Sequence, residues 1–270
     1  MVIAFVRAHA GACFGSSRHE SGLVTAREAG MTITQGKITN RLLRALSPNE
    51  FACLAPHLEP YVLPLRHTLV EADTPTAYVW FLESGLASVI AANDDDEEVE
   101  VSHIGREGMS GLHVLLQTDS TPNRTFMQVE GTGLRAPSAA ICALFDSNKG
   151  IRDLLLRYVF TASLQLAHST LANGRYTMHE RLARWLLMCH DRIDGDHLPL
   201  THEFLSLMLG VRRSGVTNEL HILEGIHAIR ATRGDIHVID RARLEEIAGG
   251  SYGRPEEVYD RLIGKPAART

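Results

Sequence analysis

Hydrophobic residues begin to recur in an ordered way near Ile38, and their period changes twice along the chain. Arg41 to Leu46 is apolar at helical spacing. Ser47-Pro48-Asn49-Glu50 then supplies a cap, a proline suited to a first helical position and the acid of a capping box. Phe51, Leu54 and Leu58 continue that helix until Pro60. From Leu63 to about Arg135 the runs shorten and are divided by turn residues. Tyr78–Leu82, Leu86–Ala91, Val99–Ile104, Phe126–Val129 and Leu134–Ala136 predict strands, with turns at Glu83-Ser84-Gly85 and at the acidic run Asp94 to Glu98. Several short strands at close spacing predict a small barrel or sandwich.

After Pro137 the period returns to that of a helix. Ile151, Leu155, Tyr158 and Ala162 follow a heptad-like seam, with Leu154, Leu164 and Leu171 outside it. Such a seam suits pairing with a second copy of the chain. Asn173-Gly174 is expected to end this helix. Thr177 to Glu180 forms a second capping box, launching Leu182, Trp185, Leu186 and Cys189 as a core face.

The most informative stretch runs from Thr201 to Asp240. It predicts a short helix, a turn at Gly210-Val211, a second helix, and a hairpin turning at Arg233-Gly234-Asp235. That order is a winged helix-turn-helix. Val216, Leu220 and Leu223 form the inward side of the second helix, leaving Arg212, Arg213, Ser214, Thr217 and Asn218 outward. A helix that opens on two arginines is shaped to enter the major groove of double-stranded DNA. Gly215 within it costs about 1 kcal/mol relative to alanine, offset by close approach to DNA or by packing on the first helix.

Bulk properties temper this picture without changing it. A net charge of −5 is unusual for a nucleic-acid binder. The acids gather in the first half, however, while Arg212, Arg213, Arg230 and Arg233 cluster in the helix-turn-helix and wing. Cys13, Cys53, Cys142 and Cys189 are far apart, which excludes a disulfide framework, a zinc finger or an iron–sulfur cluster and fits a reduced, cytoplasmic protein. No apolar run approaches a membrane span. The opening MVIAFVRAHAGAC has Arg7 and His9 inside its apolar stretch, so a lipoprotein start ending at Cys13 is disfavoured. Residues 1–36 are expected to be a disordered extension, or translation to start at Met31.

The order helix, small barrel, long helix, winged helix-turn-helix resembles the Crp/Fnr superfamily of bacterial transcription regulators over roughly residues 38–248. The resemblance implies an α+β fold in three parts. A cyclic-nucleotide-binding-like β-barrel spans 37–145, a dimerisation helix 146–173 and the winged helix-turn-helix 174–248, with 249–270 left as a flexible tail. It implies homodimers on pseudo-palindromic DNA, with RNA polymerase as a further partner. Arg213 matches the family's groove-reading arginine, Thr201 its phosphate-contacting threonine, and His202 replaces a basic residue. Ser214 stands where glutamate is common, and Asn218 where a second arginine reads, so the site recognised should differ from the prototype's. A wing bearing Arg230 and Arg233 suits either a flanking phosphate or a solvated hairpin. An effector would sit near Gly111, Leu112, Arg124 and Thr125. The segment Gly108-Met109-Ser110-Gly111-Leu112 lacks the ribose-gripping glutamate, so cyclic AMP is disfavoured and no cofactor or effector is identified. As haem ligands, His103 and His113 have no stronger claim than packed or surface residues.

Other chemistry is thin. Cys189, His190, Asp191, Asp194, Asp196 and His197 have zinc-ligand types, yet Cys189 lies on an apolar helix face and Asp-Gly-Asp is ordinary turn chemistry, so no metal site is expected. No GxSxG, phosphate-cradling glycine loop or HExxH is present, so no enzyme is expected. The competing reading is a ligand-binding or protein-docking module whose winged helix does not bind DNA specifically.

Overall fold

In the computed structural model, residues 33–95 and 97–264 are described. The expectations for residues 1–32, including the start at Met31, lie outside them. Order begins earlier than the expected boundary. The Gln35 side chain donates to the carbonyls of Leu43 and Leu46, at 3.0 and 2.7 Å, fixing this segment to the first helix.

That helix, α1 (Arg41–Ala45), is capped by Asn40, whose side chain accepts from Leu43 N. Asn40 is fully buried and also donates to Leu82 O and Gly108 O at 2.9 and 2.8 Å, so the cap doubles as an anchor. In α2 (Pro48–Leu54) the capping box on Ser47 and Glu50 is formed as the sequence predicts. Two antiparallel sheets follow. One has the order β1 (Glu59–Leu63), β7 (Gly131–Pro137), β3 (Tyr78–Leu82), and the other β2 (Thr68–Val70), β6 (Arg124–Val129), β4 (Leu86–Ala92), β5 (Glu98–Ile104). The sheets do not close, so the expected barrel is an open, jelly-roll-like pair. Leu63, Trp80, Leu82, Ala87 and Met127 fill the space between them. The acidic run is the β4–β5 hairpin tip, where Asn93 Oδ1 accepts from Asp95 N and Glu97 N.

Short helix α3 (Leu112–Leu115) follows β5, and α4 (Ser138–Ser147) leads into α5 (Lys149–Arg175). At 27 residues α5 is about 40 Å long. It does not stop at Asn173-Gly174, because nothing crowds Gly174 and Ala172 beside it is buried. It ends at Tyr176, where the Thr177 capping box starts α6 (Met178–His190).

The pairing seam expected on α5 is corrected. Ile151, Leu155 and Tyr158 are 2, 4 and 5% exposed and pack with Phe51, Phe81, Met109 and Ile141 in the protomer's own core. Ala162 is half-buried on the same side. The apolar residues that α5 leaves outside are Leu156, Phe160, Leu166 and Leu171, each 44–54% exposed.

After α6 come β8 (His197–Leu198), α7 (His202–Leu209), α8 (Arg213–Gly225), and the hairpin β9 (Ile229–Thr232) and β10 (Asp235–Val238), with β8 pairing β10. Leu86, Ile90, Phe126 and Val129 of the second sheet share a core with Leu205, Met208, Val216 and Leu220. The expected flexible tail is a second correction. Helices α9 (Arg241–Ala248) and α10 (Arg254–Leu262) continue the chain, and α10 docks with Val258 and Tyr259 buried. Arg41 holds it through Asp260 at 2.6 Å and lies 4.4 Å over the Tyr259 ring. Among the described residues no helix is long and apolar enough to cross a membrane.

Candidate nucleic-acid interface

The turn between α7 and α8 depends on one glycine. Gly210 has φ +63°, a left-handed conformation that side chains resist, and it ends α7 so that α8 can start three residues later. At the other end of α7, Thr201 Oγ1 accepts from Phe204 N at 3.1 Å. Val216, Leu220 and Leu223 are buried under α8, and the opposite face turns Arg212, Arg213, Ser214 and Asn218 outward. Thr217 is more engaged than expected. Its hydroxyl donates to Arg213 O at 3.1 Å and meets His202 Nδ1 at 3.1 Å, tying α7 to α8. His202 and Thr217 therefore brace the motif, while the four outward residues keep their polar ends exposed.

The local charge resolves the conflict with the acidic total. Glu219 is turned inward to His179 Nδ1 at 2.8 Å, and Glu224 accepts from Ala231 N at 2.8 Å. Among the described residues, Arg212, Arg213, Arg230 and Arg233 take part in no ion pair. Arg233 lies exposed at the hairpin tip beside Gly234, at φ +81°. The unneutralised cations thus gather on the exposed side of α8 and on the hairpin, where phosphates would meet them.

Gly215 is not explained by packing on α7, because a Cβ there would meet nothing within 4 Å. Gly215→Ala should therefore stabilise the fold by about 1 kcal/mol, raising the unfolding midpoint by roughly 2–4 °C. The same methyl should weaken DNA binding in a titration with duplex, since it stands on the outward turn between Arg212 and Asn218. A variant both more stable and equally tight on DNA would show that the backbone does not approach the duplex.

The remaining candidates do not converge. Gly111 sits against Val79 and Thr76, whereas Arg124 pairs with Glu98 at 3.2 Å and lies over Phe126. Thr125 is buried in β6, and Leu112 belongs to α3. None of these four lines the cavity between the roll and α5 or the smaller one beside Trp185. Among the described residues the zinc-like set does not gather into a group of three, although His190 Nε2 meets Asp196 Oδ1 at 2.8 Å. Burial holds the Cys189 thiol well above its usual pKa, Asp191 and Asp194 take Arg241 and Arg106, and His197 pairs with Asp235.

No motif in the sequence signals the groups that fix this half of the molecule to the roll. Arg192 donates to Glu107 at 2.7 Å, to Gln165 Oε1 at 2.9 Å and to Met188 O at 2.8 Å, joining the roll, α5 and α6. Burial raises the Glu107 pKa, but the Arg192 guanidinium and the Gly105 N–H hold it below the carboxylate range. Gly105 permits the approach, since a Cβ there would lie 2.7 Å from Arg192 Cβ. Nearby, Trp185 donates to Glu100 at 2.7 Å.

Residues 180–247 match the family model of the Crp-like helix-turn-helix domain. No curated protein sequence matches the chain. Solved structures with the same fold include FixK2 from Bradyrhizobium japonicum (TM-score 0.61, 15% identity), with 72% of this chain and 98% of that one covered. A CRP-family transcriptional regulator from Thermus thermophilus gives a TM-score of 0.60 at 17% identity over 71% and 97% of the two chains. The c-di-GMP-responsive global regulator CLP of Xanthomonas campestris gives 0.58 at 16% identity over 71% and 99%. The chain thus carries a Crp-like helix-turn-helix domain on the fold of Crp/Fnr-type transcription regulators.

Proposed function

We propose that this chain is a transcription regulator that binds a pseudo-palindromic DNA operator as a homodimer, with its roll domain adjusting that binding in response to a small molecule. The observation that carries the reading is the exposed, unneutralised set Arg212, Arg213, Ser214 and Asn218 on α8, inside a segment that matches a Crp-like helix-turn-helix domain. Arg213 is assigned to a base edge, because its planar fork can meet guanine O6 and N7 together. Ser214 and Asn218 tune sequence preference. Thr201 and His202 lie at the N-terminus of α7, where backbone N–H groups favour a phosphate. Arg233 takes a flanking phosphate. The function is binding rather than catalysis, it belongs in the bacterial cytoplasm, and RNA polymerase is its further partner. Cyclic AMP is not the effector proposed.

The dimer is assigned to the outer face of α5, where Leu156, Phe160 and Leu171 alternate with the small Ser163 and Ala167. Phe160→Glu should leave the protomer folded and split the dimer. Twofold symmetry removes two phenyl groups at once, about 3–6 kcal/mol in all, so the dimer dissociation constant should rise by more than ~100-fold. Sedimentation equilibrium reads this directly, and an unchanged dimer would move the interface elsewhere. DNA binding itself is tested by its salt dependence. Affinity for duplex should fall steeply as salt rises from about 50 to 200 mM. A flat response would favour a protein-docking module instead.

A further inference from the structure

A cavity of about 480 Å³ lies where Ser102–Glu107 of the roll, the inner face of α5, the α6–β8 loop and α10 meet. Its size suits a small molecule or a few residues of chain. None of Gly111, Leu112, Arg124 and Thr125 lines it.

The polar groups of the wall are spent on one another. The Tyr158 hydroxyl meets the Met109 backbone, that of Tyr252 donates to Asp191, and that of Tyr259 donates to Glu107 O. Arg41, Arg106, Arg192 and Arg241 are each paired with a carboxylate of the same wall. A fifth carboxylate is left over. Glu256 accepts from Gly253 N at 3.2 Å and takes part in no ion pair among the described residues. Arg184, outside the lining, has its pKa lowered by burial and partly restored by Glu256 and Glu100. It donates to Ser251 O and Ser169 Oγ, however, rather than to either carboxylate. The wall therefore has room for one more cation.

The chain itself brings one. Helix α10 runs along the cavity from Pro255 to Asp260, and the described residues stop two positions after it, at Gly264. Gly264 has φ +129°, a conformation that favours glycine and lets the chain reverse past the helix end. Its carbonyl accepts from the Arg41 guanidinium, itself part of the wall, so the reversal is made at the cavity. The next six residues are Lys265-Pro266-Ala267-Ala268-Arg269-Thr270, with two cations and no acidic side chain. Six extended residues reach about 20 Å, and Glu256 lies only about 12 Å back along the helix axis.

We propose that residues 265–270 fold back into this cavity and close it, with the Lys265 ammonium on Glu256. Because the walls come from the roll, α5 and the DNA-binding half, the segment ties these parts to one another. Nothing in this assignment rests on DNA binding.

The test is carbodiimide cross-linking of the dilute full chain, which joins an amine to a carboxylate only where the two are in contact, read by mass spectrometry of tryptic peptides. Lys37, Lys149 and Lys265 are the only lysines, so the product is easily assigned. Lys265 should be joined to Glu256. Ala162→Trp, which fills the cavity from α5, should abolish that link, whereas a segment merely sweeping past α10 would keep it. Circular dichroism checks that this variant folds. Independently of it, reversing both charges, Lys265→Glu with Arg269→Glu, should lower the thermal midpoint of the full chain by about 3 °C or more. Absence of the Lys265–Glu256 link overturns the proposal and leaves the cavity to a separate guest. A link that survives in folded Ala162→Trp overturns it too, as does an unchanged midpoint after charge reversal.

Discussion

Glu107→Gln should destabilise the protein by about 3–5 kcal/mol, read as a lowered urea midpoint, because it strands the buried Arg192 guanidinium without its counter-charge. The two side chains are 13 and 7% exposed, so water does little to replace the lost carboxylate. Breaking a buried pair by removing one partner is far more damaging than removing both. The double variant Glu107→Gln with Arg192→Met should therefore recover much of the loss, though Gln165 Oε1 and Met188 O would still lack the donor Arg192 provides. The pH dependence has a definite sign. Glu107 has a folded pKa below its usual value, so its contribution is fully present above the unfolded value of about 4.3 and fades as pH falls through the lower folded value. The stability gap between the wild-type protein and Glu107→Gln should be constant from about pH 5 upward and shrink below about pH 4. A gap that grew on acidification would contradict the ion-pair assignment.

Arg213→Ala should lose about 1–3 kcal/mol of discrimination at a single operator base pair, roughly 5- to 150-fold, when competitor duplexes are compared. Arg213→Lys should recover little of it, because a point charge cannot replace the two-pronged contact. Arg233→Ala should instead weaken all sequences alike and reduce the salt slope by about one. If Arg213→Ala behaves as Arg233→Ala is expected to, Arg213 contacts phosphate only.

The parts of this molecule that are legible in the sequence are those set by local chemistry. The boxes at Ser47 and Thr177 specify helix starts with four residues each, and both are formed. Gly210 between two short amphipathic runs specifies the helix-turn-helix, since only a left-handed residue makes that corner. The roll's strands are visible as short runs, but closure is not, because it depends on pairing between β-strands far apart in sequence.

The long helix α5 turns inward the face that its seam suggests for pairing, and the reason is physical. It is apolar on two sides, and a heptad-like seam does not say whether it meets the protomer or a second copy. Ile151, Leu155 and Tyr158 meet the protomer's core. Helix α10 is hard to see because Arg-Pro-Glu-Glu-Val-Tyr-Asp-Arg reads as polar tail. Pro255 and two acids in its first turn are nonetheless a helix-start signal, and Val258 and Tyr259 a narrow buried stripe. In the candidate site, Arg213 and its neighbours are legible as charge at a turn. The bracing of Thr217 by His202 is not, nor is the Arg192–Glu107 bridge, since a buried ion pair joins residues 85 positions apart with no shared motif.

The claim at the centre of this account is that α8 reads a specific DNA sequence in a twofold dimer. Selection from a pool of random duplexes by the purified full chain, near physiological salt, tests it most directly. The account predicts an enriched inverted repeat with half-sites about one helical turn apart, lost at one position per half-site in Arg213→Ala. A pool with no enriched motif, or a single unpaired half-site, would contradict it.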